Sequence, residues 1–142
     1  MTYTHSIALP LPWDEAVHRT RDALQEQGFG ILTEIDVRAT FETKLGVDAA
    51  AAVGDYIILG ACNPALASRA LAAEPSMGAL LPCNVVVRRG PQERETTIEA
   101  IDPQTMVRLS ASAAVSAVAD DAGVRLDRAL ARLTEPEEQP AP

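Results

Sequence analysis

The sequence predicts a single α+β domain in which a βαβ crossover is followed by a mostly antiparallel sheet with helices packed on it. Three observations predict it. Apolar residues alternate with smaller or polar ones at 2–9 and 29–37 and run nearly unbroken at 56–62, the patterns of half-buried and fully covered strands. Between these runs, and again toward the C-terminus, apolar residues recur at three- and four-residue spacing, as they do on amphipathic helices. Finally, "CNVVVRR" and "RETTIEAI" are strand-length runs joined by the turn "GPQE", which predicts a hairpin and hence antiparallel pairing.

Each element follows in chain order. In "TYTHSIAL" (2–9) Tyr3, His5, Ile7 and Leu9 fall on one strand face. The next helix opens at Pro12, which suits a first turn. Asp14 and Glu15 complement its positive end, Trp13, Val17, Thr20 and Leu24 share one side, and Gly28 ends it. "FGILTEIDV" (29–37) is a strand with Phe29, Ile31, Thr33, Ile35 and Val37 on one face and Leu32, Glu34 and Asp36 on the other. "ATFETKLG" predicts a short helix closing at Gly46, whereas "VDAAAAVGD" is divided: alanine favours helix, Gly54 and Asp55 a turn.

"YIILGAC" (56–62) predicts a central strand, Asn63 an N-cap and Pro64 the first position of a helix that ends before Pro75. "PSMGALLP" is expected as a loop before the hairpin. Asp102-Pro103 repeats the cap-and-proline signal, and Val115, Val118, Ala122, Leu126, Ala129 or Leu130, and Leu133 make one apolar helix face. The stretch 134–142, with three prolines, three glutamates and no large apolar residue, is expected to be disordered, which leaves residues 1–133 as the domain.

At 142 residues the chain is long enough to bury a core without disulfide or metal staples. Its 47% hydrophobic content includes only five aromatics, so that core is expected to be aliphatic. Twelve basic against twenty acidic residues give a net charge of −8, which disfavours nucleic acid and anionic membranes as partners. There is no signal-peptide pattern and no run near the ~18 apolar residues of a membrane span. The expectation is a soluble, cytoplasmic protein whose two cysteines remain thiols.

The phrases "GFGILTEIDV", "KLGVD", "YIILGACNPALASRAL", "GALLPCNVVV" and "IDPQTM", in this order, resemble the bacterial and archaeal domain-of-unknown-function family 302 over roughly residues 1–133. The resemblance implies a compact α+β domain compared with the TATA-binding-protein fold, and dimerisation is plausible for such a domain. It implies no activity, and the fold comparison implies no DNA binding, because fold does not carry function and the charge has the wrong sign.

Candidate chemistry centres on the two Cys-Asn pairs. Cys62 directly precedes a helix N-terminus, where backbone N–H groups and the helix dipole favour a thiolate. Cys83 begins a later strand. If the two strands are antiparallel neighbours, as the resemblance implies, both cysteines lie at one end of the sheet; a parallel crossover would separate them by a strand length. The plainer reading makes them small buried hydrophobes, with Asn63 a cap, Pro82 a strand-entry residue and Asn84 a loop partner.

Zinc has little support, since there is no Cys-x-x-Cys and His5 and His18 stand alone. A two-thiolate site for a soft ion such as Cu(I) is chemically allowed. Glu34 and Asp36, with Lys44 as counter-charge, form a second polar candidate, although such faces are commonly solvated. No nucleophile elbow, phosphate loop or dinucleotide fingerprint is present.

The leading expectation is therefore a non-enzymatic domain, homodimeric, that binds a small ligand or partner at Cys62, Asn63, Pro64, Cys83 and Asn84. The alternatives are a redox, sulfur-transfer or soft-metal carrier using the two cysteines, and a purely structural or interaction module. Neither cofactor nor ligand identity is legible.

Overall fold

The computed structural model describes residues 2–135. In chain order they form β1 (Thr4–Leu9), α1 (Trp13–Glu26), β2 (Gly30–Asp36), α2 (Val37–Leu45), α3 (Val47–Val53), β3 (Asp55–Cys62) and α4 (Pro64–Ala73). A 3-10 helix (Pro75–Leu80), β4 (Cys83–Arg89), β5 (Thr96–Ile101), α5 (Gln104–Leu109) and α6 (Ala113–Thr134) follow. The strands make one sheet of order β1-β5-β4-β3-β2, with every neighbouring pair antiparallel. Four antiparallel steps leave β1 and β2 parallel at opposite edges. The expected crossover is present, but α1 spans the whole sheet to make it, because the later hairpins insert three strands between its ends.

α1 ends where chain chemistry requires. Gly28 adopts φ +84°, and its N–H bonds the Gln25 carbonyl while the Phe29 N–H bonds that of Leu24, the paired bonds of a Schellman stop. Leu24 and Phe29 are both buried, which adds the apolar contact that accompanies such a stop. At the other end Trp13 Nε1 donates to the Val87 carbonyl at 2.9 Å and fixes the helix over β4. Thr20, on the buried face, satisfies its hydroxyl by donating to the Ala16 carbonyl at 2.7 Å.

Two apolar clusters make the core. One joins Leu59, Val85, Val87 and Ile98 of the sheet to Ala23 and Leu24 of α1 and Leu126 and Leu130 of α6. The other joins Leu66 and Ala70 of α4, Met77, Met106 of α5, and Val115, Val118 and Ala122 of α6. The apolar face read for the last helix is buried throughout, from Val115 to Leu133. Burying a Leu, Ile or Val fully contributes about 1.5–3 kcal/mol each, so these clusters rather than the exposed ion pairs set the arrangement.

Three local expectations are corrected. β2 does not hold one alternation: Ile31 lies opposite Ala61, but Thr33 lies opposite Gly60, so Leu32 is an extra bulged residue. Beyond the bulge Thr33 and Ile35 share the face of Gly60 and Ile58, opposite to that of Ile31. Val37, expected in the strand, is the first residue of α2, because the Asp36 carboxylate accepts the Ala39 N–H at 2.9 Å and caps a helix there. "PSMGAL" is a 3-10 helix rather than irregular loop, with Met77 buried. The divided alanine segment resolves as helix α3. α6 continues through Thr134, and residues 136–142 of the acidic proline-rich end fall outside the described residues.

No helix among the described residues is long and apolar enough to cross a membrane. The sheet face turned from α1 and α6 carries Ser6, Ala8, Thr97, Glu99, Val86, Arg88 and Ile58, as the registers require.

Gly60 ties β2, β3 and the entry to β4 together. A Cβ there would fall on Thr33 Oγ1 and 2.8 Å from Pro82 Cγ. Gly60→Ala should therefore cost about 1–3 kcal/mol in urea unfolding. Adding Thr33→Ala should recover part of that loss and leave the proline clash, whereas full recovery would show that Pro82 yields freely.

Candidate functional site

The site begins with a register. β3 and β4 are antiparallel and place Ala61 opposite Cys83, so the end of one strand and the start of the other share one end of the sheet. Cys62 is the residue after Ala61, so the two cysteines lie at the same end of the sheet, while alternation along β3 points Cys62 to the face opposite that of Ala61 and Cys83. Alternation along β4 sends Cys83, Val85 and Val87 toward the helices and leaves Asn84 exposed on the other face.

The chain then turns into α4. Asn63 takes an extended conformation and its Oδ1 accepts the Leu66 N–H at 3.2 Å, while Pro64 occupies the first turn. The Asn63 amide lies beside Gly28: its Nδ2 is 3.0 Å from where a Cβ on that glycine would stand, and Arg125 Nη1 is 3.4 Å from the same point. Arg125 in turn donates to the Gln27 carbonyl at 3.0 Å and pairs with Asp121 at 2.7 Å. Asn63 therefore joins the start of α4 to the end of α1 and the middle of α6. Its conformation, a cap, matches the expectation; Asn84 has no such position.

Between this junction and the helices lies a small apolar pocket of about 30 Å³. Cys62, Asn63, Pro82 and Cys83 form its sheet-end wall, and Leu66 and Met106 are among the residues that close it from α4 and α5. It sits on the seam between the two apolar clusters, since Ala61 and Cys83 belong to the first and Leu66 and Met106 to the second. Pro64 does not line it, being exposed at the helix start. Met106 was not singled out by composition or spacing. The only sequence signal was its place in the phrase "IDPQTM", where Asp102 Oδ1 accepts the Gln104 N–H and starts α5.

Burial dominates the chemistry of Cys83. Desolvation, with a smaller contribution from the neighbouring Cys62, pushes its thiol up from 9.0 to about 11. Cys83 is thus a protonated thiol at neutral pH. Both cysteines are free, Cys62 being the more accessible.

The other polar candidates do not converge. The Glu34 carboxylate meets the Arg21 guanidinium of α1, that of Asp36 caps α2, and Lys44 lies exposed in the last turn of α2. His5 stands 3.3 Å from Asp102 and 3.9 Å from Asp127, and His18 faces Asp22 one helical turn away at 3.5 Å. Among the described residues no group of three or more His, Cys, Asp or Glu is placed to hold a metal ion.

The Cys83 thiol predicts a pH dependence. A raised acid pKa in the fold means that the unfolded chain loses this proton first as pH rises, so the stability is whole below about pH 9 and is lost up to about 11. The loss should be on the order of 2–3 kcal/mol in urea titrations at pH 8 and pH 11. Cys83→Ala, compared with the parent protein, should lack that fraction; an identical slope in both would refute the assignment.

Comparison with known proteins agrees with this architecture. No curated protein matches the chain. A solved structure described as the crystal structure of an uncharacterized conserved protein DUF302 from Bacillus stearothermophilus superposes with a TM-score of 0.82 at 27% identity, covering 93% of this chain and 98% of that one. The family model described as domain of unknown function DUF302 matches residues 5–133, and the chain belongs to that family.

Proposed function

We propose that the protein is a non-enzymatic binding domain whose ligand site is the apolar pocket at the Cys62/Cys83 end of the sheet. The observation that carries this reading is the pocket's construction. Two separated Cys-Asn segments are brought to one wall by the β3–β4 register, and helices from the second apolar cluster close the space above them. A void of about 30 Å³ walled by aliphatic groups stays dry and accepts an apolar atom or group of methyl to ethyl size. The raised Cys83 thiol weighs against redox or sulfur-transfer chemistry, in which the thiolate is the nucleophile.

The test uses xenon as the probe. Under xenon pressure, amide resonances of Cys62, Asn63, Cys83 and Met106 should shift in a saturable way, and Ala70→Leu, which fills the space, should abolish the response. If saturating xenon leaves these amides unmoved, the pocket does not bind and the reading fails.

A second copy of the chain belongs to the same proposal. The sheet face turned from α1 and α6 carries Ile58 and Val86, and its charges Arg88 and Glu99 pair at 2.6 Å. That face is formally balanced on a chain of net charge −8, so it repels a second copy less than the remaining surface does. Light scattering should give twice the chain mass, and Val86→Glu should return it to the single mass; a parent protein that is monomeric at 100 µM, a concentration of about the order used for such measurements, removes this part.

A further inference from the structure

We infer that two copies of the chain assemble reciprocally, α2 of each lying on the open sheet face of the other. This inference rests on the proposal that the open face meets a second copy, and it names the element that covers it.

α2 is a helix whose apolar side has no partner to bury it. Val37, Phe41 and Leu45 recur at four-residue spacing, so they share one side of the helix, the pattern of a stripe that packs on a neighbour. Yet none of the nine residues of α2 is buried. Leu45 is 68% exposed, and Val47, just beyond Gly46, is 69% exposed. So short a helix gains little stability in water by itself and draws it from packing of its apolar face.

The open sheet face lacks the complementary layer. α1 and α6 pack on the opposite face. The registers set Ile35 opposite Ile58 and Ile58 opposite Val86, a row of three aliphatic side chains across β2, β3 and β4. α2 leaves this row uncovered in its own chain, since Ile35 is 49% exposed. A sheet face and an amphipathic helix bury each other in layered α+β folds, and one chain here carries both surfaces open. Their spacings agree: successive residues of the stripe are about 6 Å apart along the helix, and adjacent strands about 4.8 Å apart.

Charge favours a second copy as the occupant and gives α2 a direction on it. Lys44 flanks Leu45 at the C-terminal end of the stripe, and Glu99 stands opposite Val86 as the next residue of the row. With Leu45 over Val86, the ammonium lies beside the carboxylate that Arg88 already holds at 2.6 Å. α2 also carries two basic residues, Arg38 and Lys44, against the single acid Glu42, on a chain of net charge −8, so it approaches that chain's surface with the favourable sign. A stable interface buries roughly 800 Å² on each partner, more than the stripe of one helix about 14 Å long supplies. Two-fold symmetry makes the contact twice, each copy giving one helix and one sheet face.

The experiment is sedimentation equilibrium on the full chain and on two variants, Leu45→Glu in the helix stripe and Val86→Glu in the sheet row. The parent should be dimeric at about 100 µM, and each variant should dissociate at least about a hundredfold more readily. Mixing the two variants distinguishes the reciprocal arrangement from helix-on-helix or sheet-on-sheet contact. In the mixture one contact joins an unaltered α2 to an unaltered sheet face, so a heterodimer should form more tightly than either variant self-associates. Lys44→Glu should weaken the parent dimer about three- to tenfold, with a larger effect at low salt. Circular dichroism and urea unfolding establish that each variant is folded, and Ile35→Glu takes the place of Val86→Glu if that one is not.

A Leu45→Glu protein that dimerises like the parent overturns the inference; if Val86→Glu is then monomeric, the proposed open-face dimer stands without α2. A mixture that associates no better than its components also overturns the inference. A monomeric parent overturns both.

Discussion

The pairing of β3 with β4 is the constraint on which the remaining structure depends. A strand has period two, so a slip of one residue would exchange its faces: Cys83, Val85 and Val87 would turn to solvent and Asn84, Val86 and Arg88 into the core. Three valine-sized or larger groups on β3 and β4, Leu59, Val85 and Val87, are almost fully buried under the helices. Their combined burial, at about 1.5–3 kcal/mol each, far exceeds what any surface ion pair here contributes. Thr33 and Pro82 closing over Gly60 reinforce the same register from neighbouring segments. The position of the two cysteines is thus set by core packing, before any ligand is considered.

That constraint gives the two asparagines different fates. Asn63 follows a strand's last residue and precedes a proline, so its side chain is free to turn back onto the first N–H groups of α4. Asn84 follows a strand's first residue and is carried by alternation to the open face. The Cys-Asn pairs look alike in the chain because each marks an end of a strand, and they differ in space because one strand is ending while the other begins. Gly28 belongs to the same junction, since its left-handed conformation stops α1 and its missing Cβ leaves room for the Asn63 amide.

Much of this was legible in the residues. Asn63-Pro64 announces the start of α4, Gly28 the end of α1, and the three-to-four spacing from Val115 to Leu133 the buried face of α6, because caps, stops and helical faces are local signals. Non-local facts were not legible. Nothing in "GILTEID" marks Leu32 as a bulge, since that follows from β2 having to match Gly60 of its neighbour. Glu34 and Asp36 share a strand face as their spacing indicates, yet one meets Arg21 and the other caps α2. Their partners arrive from distant or following segments that spacing does not reveal. The pocket itself was legible only as a strand end. Met106 reaches it from α5 across the seam between two clusters, and no local pattern encodes a seam.

The seam also explains why a buried thiol is tolerated beside the pocket. Packing two aliphatic clusters against each other leaves a small void where neither side chain set reaches, and an empty apolar void of this kind costs contacts that the lining would otherwise make. A thiol tolerates such a place because it packs as a small hydrophobe while protonated. The desolvation that raises Cys83 to about 11 penalises a bare thiolate, so the group is a poor nucleophile there. Burial therefore keeps this cysteine in a packing role and suppresses attack on an incoming substrate, in keeping with a pocket whose wall is apolar.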